Sequence, residues 1–222
     1  YIDKGKLPNF TLLVARNNEI AHLSSQGFSS IEDNKPISND SIYRFYSMTK
    51  PITSVAIMML YEKGLLRLEH EVSRYLPEFK DIKVWKEGTI ENYKTRPPSQ
   101  PMLIKDLLTH TSGLSYGFMT GHPAIKLYTT SGIASAKNSK TRIEMDLEEF
   151  SYTAASLPLL FDPGSRWHYS ISIDILGRII EVISGEKFDI FLKKNIFSPL
   201  NMVDTDFSVP EEKHERFVDC YQ

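Results

Sequence analysis

The chain has 222 residues, of which 41% are hydrophobic and 24% are charged, and its formal net charge is −2. This composition is typical of a globular protein with ample material for a core. The small net charge and the lack of long Lys or Arg runs do not favour a protein that binds nucleic acid or an acidic membrane surface. Cys220 is the only cysteine, which excludes an internal disulfide and a cysteine-based metal cage.

The cysteine content, the length of the apolar runs and the chain ends bear on the cellular compartment. A single cysteine favours a reducing environment, so a cytoplasmic location is predicted. The longest apolar run of the central predicted helix, residues 55–60, is far too short to span a membrane, and no signal peptide is visible. The chain begins with Tyr1 rather than Met, and both ends look trimmed. A periplasmic or exported protein is therefore the alternative.

The first predicted elements form a β-hairpin. Residues 10–15 have the pattern of a strand, Asn17-Asn18 is a turn signal, and residues 19–26 return as a second strand. Apolar residues at alternate and adjacent positions predict a sheet that is covered on at least one face. Residues 28–41 are rich in Ser, Asp and Asn and are predicted to be a loop.

The next predicted element is a helix over about residues 49–63, followed by Gly64. Its apolar residues recur at helical spacing, and the stripe is broad enough to predict burial on most sides. These apolar positions are Ile52, Val55, Ala56, Met59 and Leu60.

Beyond this helix the sequence alternates short helices with loops. Residues 72–77 form a predicted helical turn stopped by proline, and residues 80–101 are predicted to be an exposed loop that includes one strand. A helix begins at residues 104–108. Residues 115–142 form a long irregular segment of the kind that often shapes a site.

Three more helices are predicted in the last third of the chain. The first covers residues 146–157, with Asp146 as its N-cap, and the others cover residues 174–184 and 189–196. Residues 161–164 form a turn between them. Two strands followed mostly by helices predict an α+β architecture whose sheet is incomplete in this chain.

A serine and a lysine lie at the start of the central helix. Ser47 and Lys50 are three residues apart and therefore share one helical face. Pro51 sits in the first turn, where its missing N–H costs little. Free backbone amides and the positive end of the helix dipole would surround Ser47, and the same field would lower the pKa of Lys50 towards use as a base. A serine hydroxyl needs such a neighbour before it becomes a nucleophile.

The Ser-x-x-Lys pattern is loose, since roughly one accidental match is expected in a chain of this length. A second match, Ser184-Gly185-Glu186-Lys187, falls where a predicted helix ends at Gly185. A helix C-cap followed by a solvated lysine explains that second match.

Several longer motifs occur in the same order as in one family. The chain resembles the serine β-lactamase and penicillin-binding-protein superfamily, in particular its class C-like (family VIII) carboxylesterases. The string Leu-Leu-Thr-His-Thr-Ser-Gly-Leu is the most specific of these motifs. The matching segments are residues 47–50, 64–66, 107–114, 163–170 and 174–181.

The resemblance implies an α+β fold of the β-lactamase/transpeptidase type, with an antiparallel sheet flanked by helices, a mainly helical domain, and C-terminal strands missing from this chain. Residues 1–66 would belong to the sheet domain and carry the nucleophile helix. Residues 67–207 would form the mainly helical domain. Residues 208–222 would start the return to the sheet domain, which is truncated here.

The resemblance also implies roles for three residues. Ser47 would be the acyl-accepting nucleophile, and its backbone N–H would be one oxyanion-hole donor. Lys50 would help to remove the serine proton. Tyr169 would act with Lys50 as general base and then as acid for the leaving group. A tyrosine has an unperturbed pKa near 10, so Tyr169 would need the nearby positive charge of Lys50.

Two departures from the family pattern affect the predicted function. Where the family's lactamases have an asparagine that helps to hold the substrate amide, this chain has Ile171, as several of the family's esterases have an apolar residue. Ester hydrolysis is therefore favoured over lactam hydrolysis. The family's third motif, a triplet ending in glycine that accompanies the second oxyanion donor, is missing. A second polypeptide or a missing C-terminal segment would have to complete the site.

Candidate substrate-binding residues are Tyr116, Phe118, Trp167 and Ile171, with packing in a loop or the core as the alternative for the aromatic ones. His110 is expected to hydrogen-bond a loop rather than to act in catalysis. The six histidines show no metal-ligand spacing, so no metal is predicted. No Gly-rich phosphate loop is present, and no cofactor is predicted.

The sequence thus predicts a serine hydrolase that forms an acyl-enzyme and hydrolyses small carboxylic esters. A β-lactamase or D-alanyl-D-alanine carboxypeptidase acting on a lactam-like substrate is the alternative enzyme. A non-catalytic binding or scaffold protein, or an inactive fragment, is the alternative of another class. The predicted partner is a small molecule, with no nucleic acid and no membrane span.

Overall fold

The computed structural model describes residues 1–133 and 145–221. The chain divides into two compact units. The first comprises Tyr1–Met48 and Asn201–Gln222, and the second comprises Thr49–Leu200. The sequence-based division at residues 66/67 and 207/208 stays a prediction.

A β-hairpin dominates the first unit. Strands β1 (Asn9–Arg16) and β2 (Glu19–Ser30) pair antiparallel, and the short β3 (Lys35–Pro36) pairs with the end of β2. Asn17 and Asn18 form the turn with φ values of 52° and 62°, the positive values that a two-residue hairpin turn of this type requires. The predicted hairpin is confirmed.

The predicted covering of this hairpin is wrong for the described residues of the unit. Leu12 and Leu13 are adjacent and therefore point to opposite faces, yet they are 48% and 53% exposed. The reason is the small size of the surrounding structure. β3 has two residues, and the helices of this unit are short 3-10 turns at Ile2–Lys4, Tyr46–Met48 and Glu211–Arg216.

The C-terminal part of the first unit anchors the segment that leads into the predicted nucleophile. The Ile42 N–H donates to the Arg216 carbonyl over 2.7 Å, and the Val218 N–H donates to the Ile42 carbonyl over 3.0 Å. The Arg44 guanidinium lies 3.9 Å above the Phe217 ring. These contacts fix residues 42–44.

The second unit is mainly helical, with one central helix. The α-helices of its described residues are α1 (Thr49–Glu62), α2 (Ile104–Leu108), α3 (Ile125–Thr130), α4 (Leu147–Ser156), α5 (Ser172–Ser184) and α6 (Phe188–Leu192). The central helix is α5, and α1, α2, α4 and α6 all pack against it. In chain order, two short 3-10 helices, Val72–Arg74 and Pro77–Phe79, follow α1, and a π-helical turn, Lys193–Phe197, follows α6.

Local sequence signals explain the ends of these helices. The Asp146 carboxylate accepts a hydrogen bond of 3.0 Å from the Glu149 N–H, which confirms the predicted cap of α4. Gly185 ends α5 with a φ of 72°, in the left-handed conformation that glycine adopts at little cost. Burial of Ile175, Leu176 and Ile179 makes α5 the core of the unit.

Three predictions for this unit were wrong. Residues 80–101 contain a hairpin of two strands, β4 (Val84–Gly88) and β5 (Tyr93–Arg96), stabilised where Trp85 stacks on Tyr93 at 4.8 Å. The segment predicted to be irregular contains α3, because the fully buried Tyr128 gives it a packing partner; its residues 134–142 lie outside the described part. Helix α1 buries one side only, and Val55 is 52% exposed.

Candidate active site

The predicted nucleophile Ser47 lies in the 3-10 turn Tyr46–Met48, two residues before the first residue of α1. Tyr46 has a φ of 45°, in the left-handed region that a bulky side chain rarely adopts. Strained backbone of this kind persists where the surrounding structure holds it, and it is common at active sites. A hydrogen bond of 2.9 Å from the Met48 N–H to the Phe45 carbonyl closes the turn.

Lys50 follows in the first turn of α1, and its ammonium group lies between two tyrosine rings. The Lys50 Nζ is 4.8 Å from the centre of the Tyr169 ring and 5.5 Å from the centre of the Tyr116 ring. Aromatic faces attract a cation at these distances. The two tyrosines come from segments more than 50 residues apart, so the fold of the second unit creates this arrangement.

Tyr116 joins Lys50 to a carboxylate on α5. Its hydroxyl donates to Asp174 Oδ2 over 3.4 Å. Burial raises the pKa of Tyr116, and the negative charge of Asp174 raises it further. Tyr116 therefore stays protonated and acts as a donor.

Asp174 is the acidic group of this cluster. Burial raises the pKa of its carboxyl, and the positive charge of Lys50 partly opposes the rise. The side chains of Lys50, Tyr116 and Asp174 thus form one electrostatic unit, in which a change of charge on one group alters the energy of the others.

Tyr169 lies among aromatic rings. Its ring centre is 4.9 Å from that of His110, 5.3 Å from that of Tyr116 and 6.4 Å from that of Trp167. The fold therefore brings two predicted catalytic residues, Lys50 and Tyr169, into contact, as the resemblance implied. Their catalytic roles stay predictions.

The three predicted pocket residues other than Tyr116 differ in exposure. Phe118 stacks on Tyr116 at 4.8 Å and is 46% exposed, and Trp167 is 64% exposed. These two offer apolar surface to a ligand. Ile171 is fully buried at the N-cap of α5, so it presents no side-chain surface to solvent.

Sequence reasoning did not assign a role in the site to Asp174, and it gave His110 only a general structural role. Asp174 is a charged residue among the apolar residues of the predicted helix, which is the one local signal that could have drawn attention to it. His110 contacts the segment around Tyr169, about 60 residues further along the chain. No local pattern encodes a contact of that separation.

Neither a metal-ligand cluster nor a membrane-spanning helix occurs in the described residues. Within residues 1–133 and 145–221, no group of three or more His, Cys, Asp or Glu side chains could hold a metal ion. The helices in the same part of the chain are also too short or too polar for a membrane span.

Comparison with known proteins decides the family. Residues 1–222 match the model of the beta-lactamase family. The chain belongs to the beta-lactamase family. Within this family it is similar to Esterase EstB from Burkholderia gladioli, with 34% identity over 217 residues that cover 97% of this chain and 50% of the esterase. The chain spans about half the length of the curated relatives it matches.

Solved structures of the family agree with the fold. The chain is similar to the structure described as EstCE1, a hydrolase with promiscuous acyltransferase activity, with a TM-score of 0.74, 28% identity, and coverage of 90% of this chain and 48% of that one. It is also similar to simvastatin synthase from Aspergillus terreus (LovD9 mutant), with a TM-score of 0.78, 28% identity, and coverage of 98% and 55%. The predicted β-lactamase/transpeptidase-like fold is confirmed.

Proposed function

We propose that this chain carries the nucleophile, lysine and tyrosine of a serine hydrolase that cleaves small carboxylic esters through an acyl-enzyme. The observation that supports this most is the position of Lys50, whose ammonium lies within 4.8 Å of the Tyr169 ring at the start of the helix that follows Ser47. The similarity to Esterase EstB supports an ester substrate.

In the proposed acylation step, Tyr169 and Lys50 take the proton of the Ser47 hydroxyl as its Oγ attacks the ester carbonyl carbon. The positive charge of Lys50 favours the phenolate form that Tyr169 needs as a base. The Ser47 backbone N–H donates to the oxyanion of the tetrahedral intermediate. Tyr169 then returns the proton to the leaving alcohol oxygen as the C–O bond breaks.

In the proposed deacylation step, a water molecule attacks the acyl carbon and the same tyrosine accepts its proton. The Ser47 Oγ then leaves and is protonated again. The open aromatic surfaces of Phe118 and Trp167 are the proposed contact for the apolar part of the ester. A second oxyanion donor from a further segment or a second polypeptide would complete the site.

Acyl transfer to an alcohol is a second candidate function. EstCE1 is described as a hydrolase with promiscuous acyltransferase activity, and simvastatin synthase is a structural neighbour. In chemical terms, an alcohol would replace water in the deacylation step while the acyl-enzyme stays the same. Lactam hydrolysis is less favoured, because Ile171 offers no side-chain hydrogen bond to a lactam amide.

The proposal is tested by intact-mass measurement after treatment with a fluorophosphonate. One covalent adduct is expected, located on Ser47 by peptide mapping and missing in Ser47→Ala. Hydrolysis of a short p-nitrophenyl ester should exceed that of nitrocefin, and added alcohols would reveal transfer as a second product. Lack of any adduct on Ser47 would support the non-catalytic alternative and contradict the proposal.

Tyr169→Phe is the sharpest single test of the proposed general base. Loss of the hydroxyl should lower kcat by roughly 10²–10⁴-fold, because general acid–base catalysis contributes about that much. The aromatic ring and its contact with Lys50 would be kept, so a KM close to that of the parent is expected.

The cytoplasmic location inferred from the single cysteine is a separate proposal that localisation of a tagged full-length protein would test.

A further inference from the structure

The segment that carries Tyr169 is attached to one residue, His110, on both sides of the tyrosine. The His168 N–H donates to the His110 carbonyl over 2.8 Å, and the Ser170 N–H donates to His110 Nδ1 over 3.3 Å. Between these two bonds, the Tyr169 ring packs against the His110 ring at 4.9 Å. The backbone and side chain of His110 therefore hold the chain on both sides of the phenol and contact the ring itself.

A chain of buried hydroxyls extends this attachment into the core. The Ser170 Oγ lies 3.3 Å from His110 Nδ1 and 2.7 Å from the Ser172 Oγ, which lies 2.7 Å from the Ser112 Oγ. All three serines are fully buried. The Ser112 Oγ also accepts a bond of 3.2 Å from the Leu114 N–H. His110 and Ser112 belong to one loop. The hydrogen-bonded hydroxyls therefore connect that loop to the Tyr169 segment at two points.

These bonds determine the protonation state of His110. A backbone N–H can only donate, so the bond from Ser170 requires an unprotonated Nδ1, and the neutral ring must carry its proton on Nε2. With Nδ1 as the acceptor at one end, the hydroxyls can donate in one direction, from Ser112 to Ser172 to Ser170 to His110. Every hydroxyl proton then has an acceptor.

Protonation of Nδ1 would break this arrangement. Two donors, the Ser170 N–H and the Nδ1–H, would face each other, and the hydroxyl chain would have to reverse. Ser112 would then need a new acceptor, and the described residues give it no hydrogen bond beyond those to Ser172 and Leu114. A buried donor without an acceptor is costly. Acid should therefore loosen the segment that holds Tyr169.

The surroundings of His110 keep it neutral at ordinary pH. Burial lowers its pKa and the positive charge of Lys50 lowers it further, while His168 adds to this effect once it is itself protonated. Among the described residues, Lys50 of α1 and His168 act on the ring through their charge, and the Tyr169 ring packs against it. None of them carries a negative charge that would favour the imidazolium while Tyr169 is protonated.

We infer that His110 is a positioning residue for Tyr169, a neutral hydrogen-bond acceptor that fixes the phenol beside Lys50 and releases it when its ring becomes protonated. This inference rests on the proposed function in its catalytic part, because it assigns the position of a general base. The attachment itself is a structural property that can be measured without any substrate.

The kinetic test compares two variants in the full-length protein. His110→Asn keeps a side-chain acceptor near the Nδ1 position, tolerates the φ of 56° found there, and cannot titrate in this range. It should keep most of the kcat and lose the fall in activity at acid pH that follows protonation of His110. His110→Ala removes the acceptor and should lower kcat by roughly 10²-fold with a much smaller change in KM, since a misplacement of about 1 Å can cost that much.

His70 offers a matched control. Its Nδ1 also accepts from a backbone N–H, that of Arg67 at 3.2 Å, and its ring also lies beside a tyrosine, Tyr75, at 6.0 Å. It makes no contact with Lys50 or Tyr169 among the described residues. His70→Ala should lower the melting temperature as His110→Ala does, but it should leave kcat and its pH profile unchanged.

A double-mutant cycle with Tyr169→Phe separates positioning from a general loss of structure. If His110 acts through the Tyr169 hydroxyl, His110→Ala should cost little further activity once that hydroxyl is gone. Losses that multiply in the double variant would overturn the inference. So would a kcat of His110→Asn as low as that of His110→Ala.

Nuclear magnetic resonance tests the attachment independently of activity. The His110 ring should be in the Nε2–H tautomer with a pKa below the usual histidine range, and the Ser170 amide should lose its protection from exchange as the ring is protonated. An Nδ1–H tautomer would contradict the inference. A protein that shows the expected tautomer and protection but no Ser47 adduct would instead contradict the proposed function and leave the attachment standing.

Discussion

One of the two Ser-x-x-Lys segments lies at the N-terminal end of a helix, and the other lies at the C-terminal end of another helix. Ser47 lies two residues before the first residue of α1, with Lys50 in the first turn. Ser184 is the last residue of α5, and its Oγ donates to the Ile180 carbonyl over 2.7 Å and accepts from the Glu186 N–H over 3.2 Å. The start of a helix presents free N–H donors and the end presents carbonyl acceptors, so the same four-residue pattern meets opposite polarity.

The two lysines differ as much as the two serines. Lys50 is half-buried between the Tyr169 and Tyr116 rings. The Lys187 side chain is 64% exposed and its Nζ lies 3.6 Å from an Asp146 oxygen. Lys187 is thus a solvated residue paired with a carboxylate at the surface, whereas the Lys50 ammonium lies against two tyrosine rings. The comparison shows that the surroundings, rather than the spacing, give the first pattern its proposed chemistry.

The largest expected difference is between the two serines. Ser47→Ala should abolish acyl-enzyme formation and lower ester hydrolysis by at least about 10⁴-fold, since removal of a serine nucleophile costs this much in serine hydrolases. Ser184→Ala should leave kcat unchanged and cost about 1 kcal/mol of unfolding free energy from the lost cap hydrogen bonds. Initial rates and urea unfolding measure both. Equal losses of activity in the two variants would remove the distinction drawn above.

The two lysines provide the next test. Lys50→Met keeps an unbranched side chain but removes the charge beside Tyr169, and we expect kcat to fall by roughly 10²–10⁴-fold. Lys187→Met removes one exposed ion pair, which contributes little, so neither kcat nor the melting temperature should change measurably. Retention of activity in Lys50→Met would show that Tyr169 works without the neighbouring cation.

Asp174 allows a smaller test in which activity and stability move in opposite directions. Burial raises the pKa of Asp174 in the folded protein above its pKa in the unfolded chain. The protein therefore loses stability as the pH rises from the unfolded-state pKa through the folded-state pKa, because the carboxyl ionises more readily in the unfolded chain. Asp174→Asn removes that cost and keeps an acceptor for the Tyr116 hydroxyl. The variant should therefore be more stable than the parent at neutral pH, with the difference vanishing in acid.

The same substitution should lower activity. Without the carboxylate, the Lys50 ammonium loses its negative neighbour. We expect kcat to fall about 10-fold, which corresponds to about 1.4 kcal/mol of lost interaction energy. Urea unfolding at several pH values and initial rates at neutral pH measure the two effects. A variant that is less stable than the parent at neutral pH would mean that ionised Asp174 is stabilised by its partners rather than penalised by burial.

The sequence made short-range features predictable and left long-range ones open. The cap at Asp146, the hairpin turn at Asn17 and the stop at Gly185 depend on neighbours within a few residues, so local rules reached them. The β4–β5 hairpin was missed because its Lys- and Glu-rich strands look solvated, whereas the stack of Trp85 on Tyr93 and the hydrogen bond from the Trp85 N–H to the Leu159 carbonyl depend on the folded structure. Helix α3 is short and was missed for the same reason, since burial of its tyrosine supplies what its local sequence lacks.

The candidate site shows the same limit. The Ser47 and Lys50 pair could be proposed from spacing, but the contact of Lys50 with Tyr169 was implied only by the family resemblance. Periodicity cannot bring together residues about 120 positions apart. The hydrogen bonds of His110 to the Tyr169 segment are of the same kind, because they depend on how two loops meet after the helices have packed.

The smallest expected effect concerns the glycine inside the second Ser-x-x-Lys segment. Gly185 has a φ of 72°, and a Cβ added there would meet no heavy atom within 4 Å, so the cost of a side chain is conformational rather than steric crowding by neighbours. Gly185→Ala should lower the unfolding free energy by about 1 kcal/mol, the penalty of the left-handed conformation for an L-residue. Gly185→Asn should cost less, because asparagine tolerates this conformation. Neither variant should change kcat, since Gly185 follows the last residue of α5, whereas Asp174, which contacts Tyr116 beside Lys50, lies in the first turn of that helix. A loss of activity in Gly185→Asn without a loss of stability would show that the end of α5 takes part in the reaction after all.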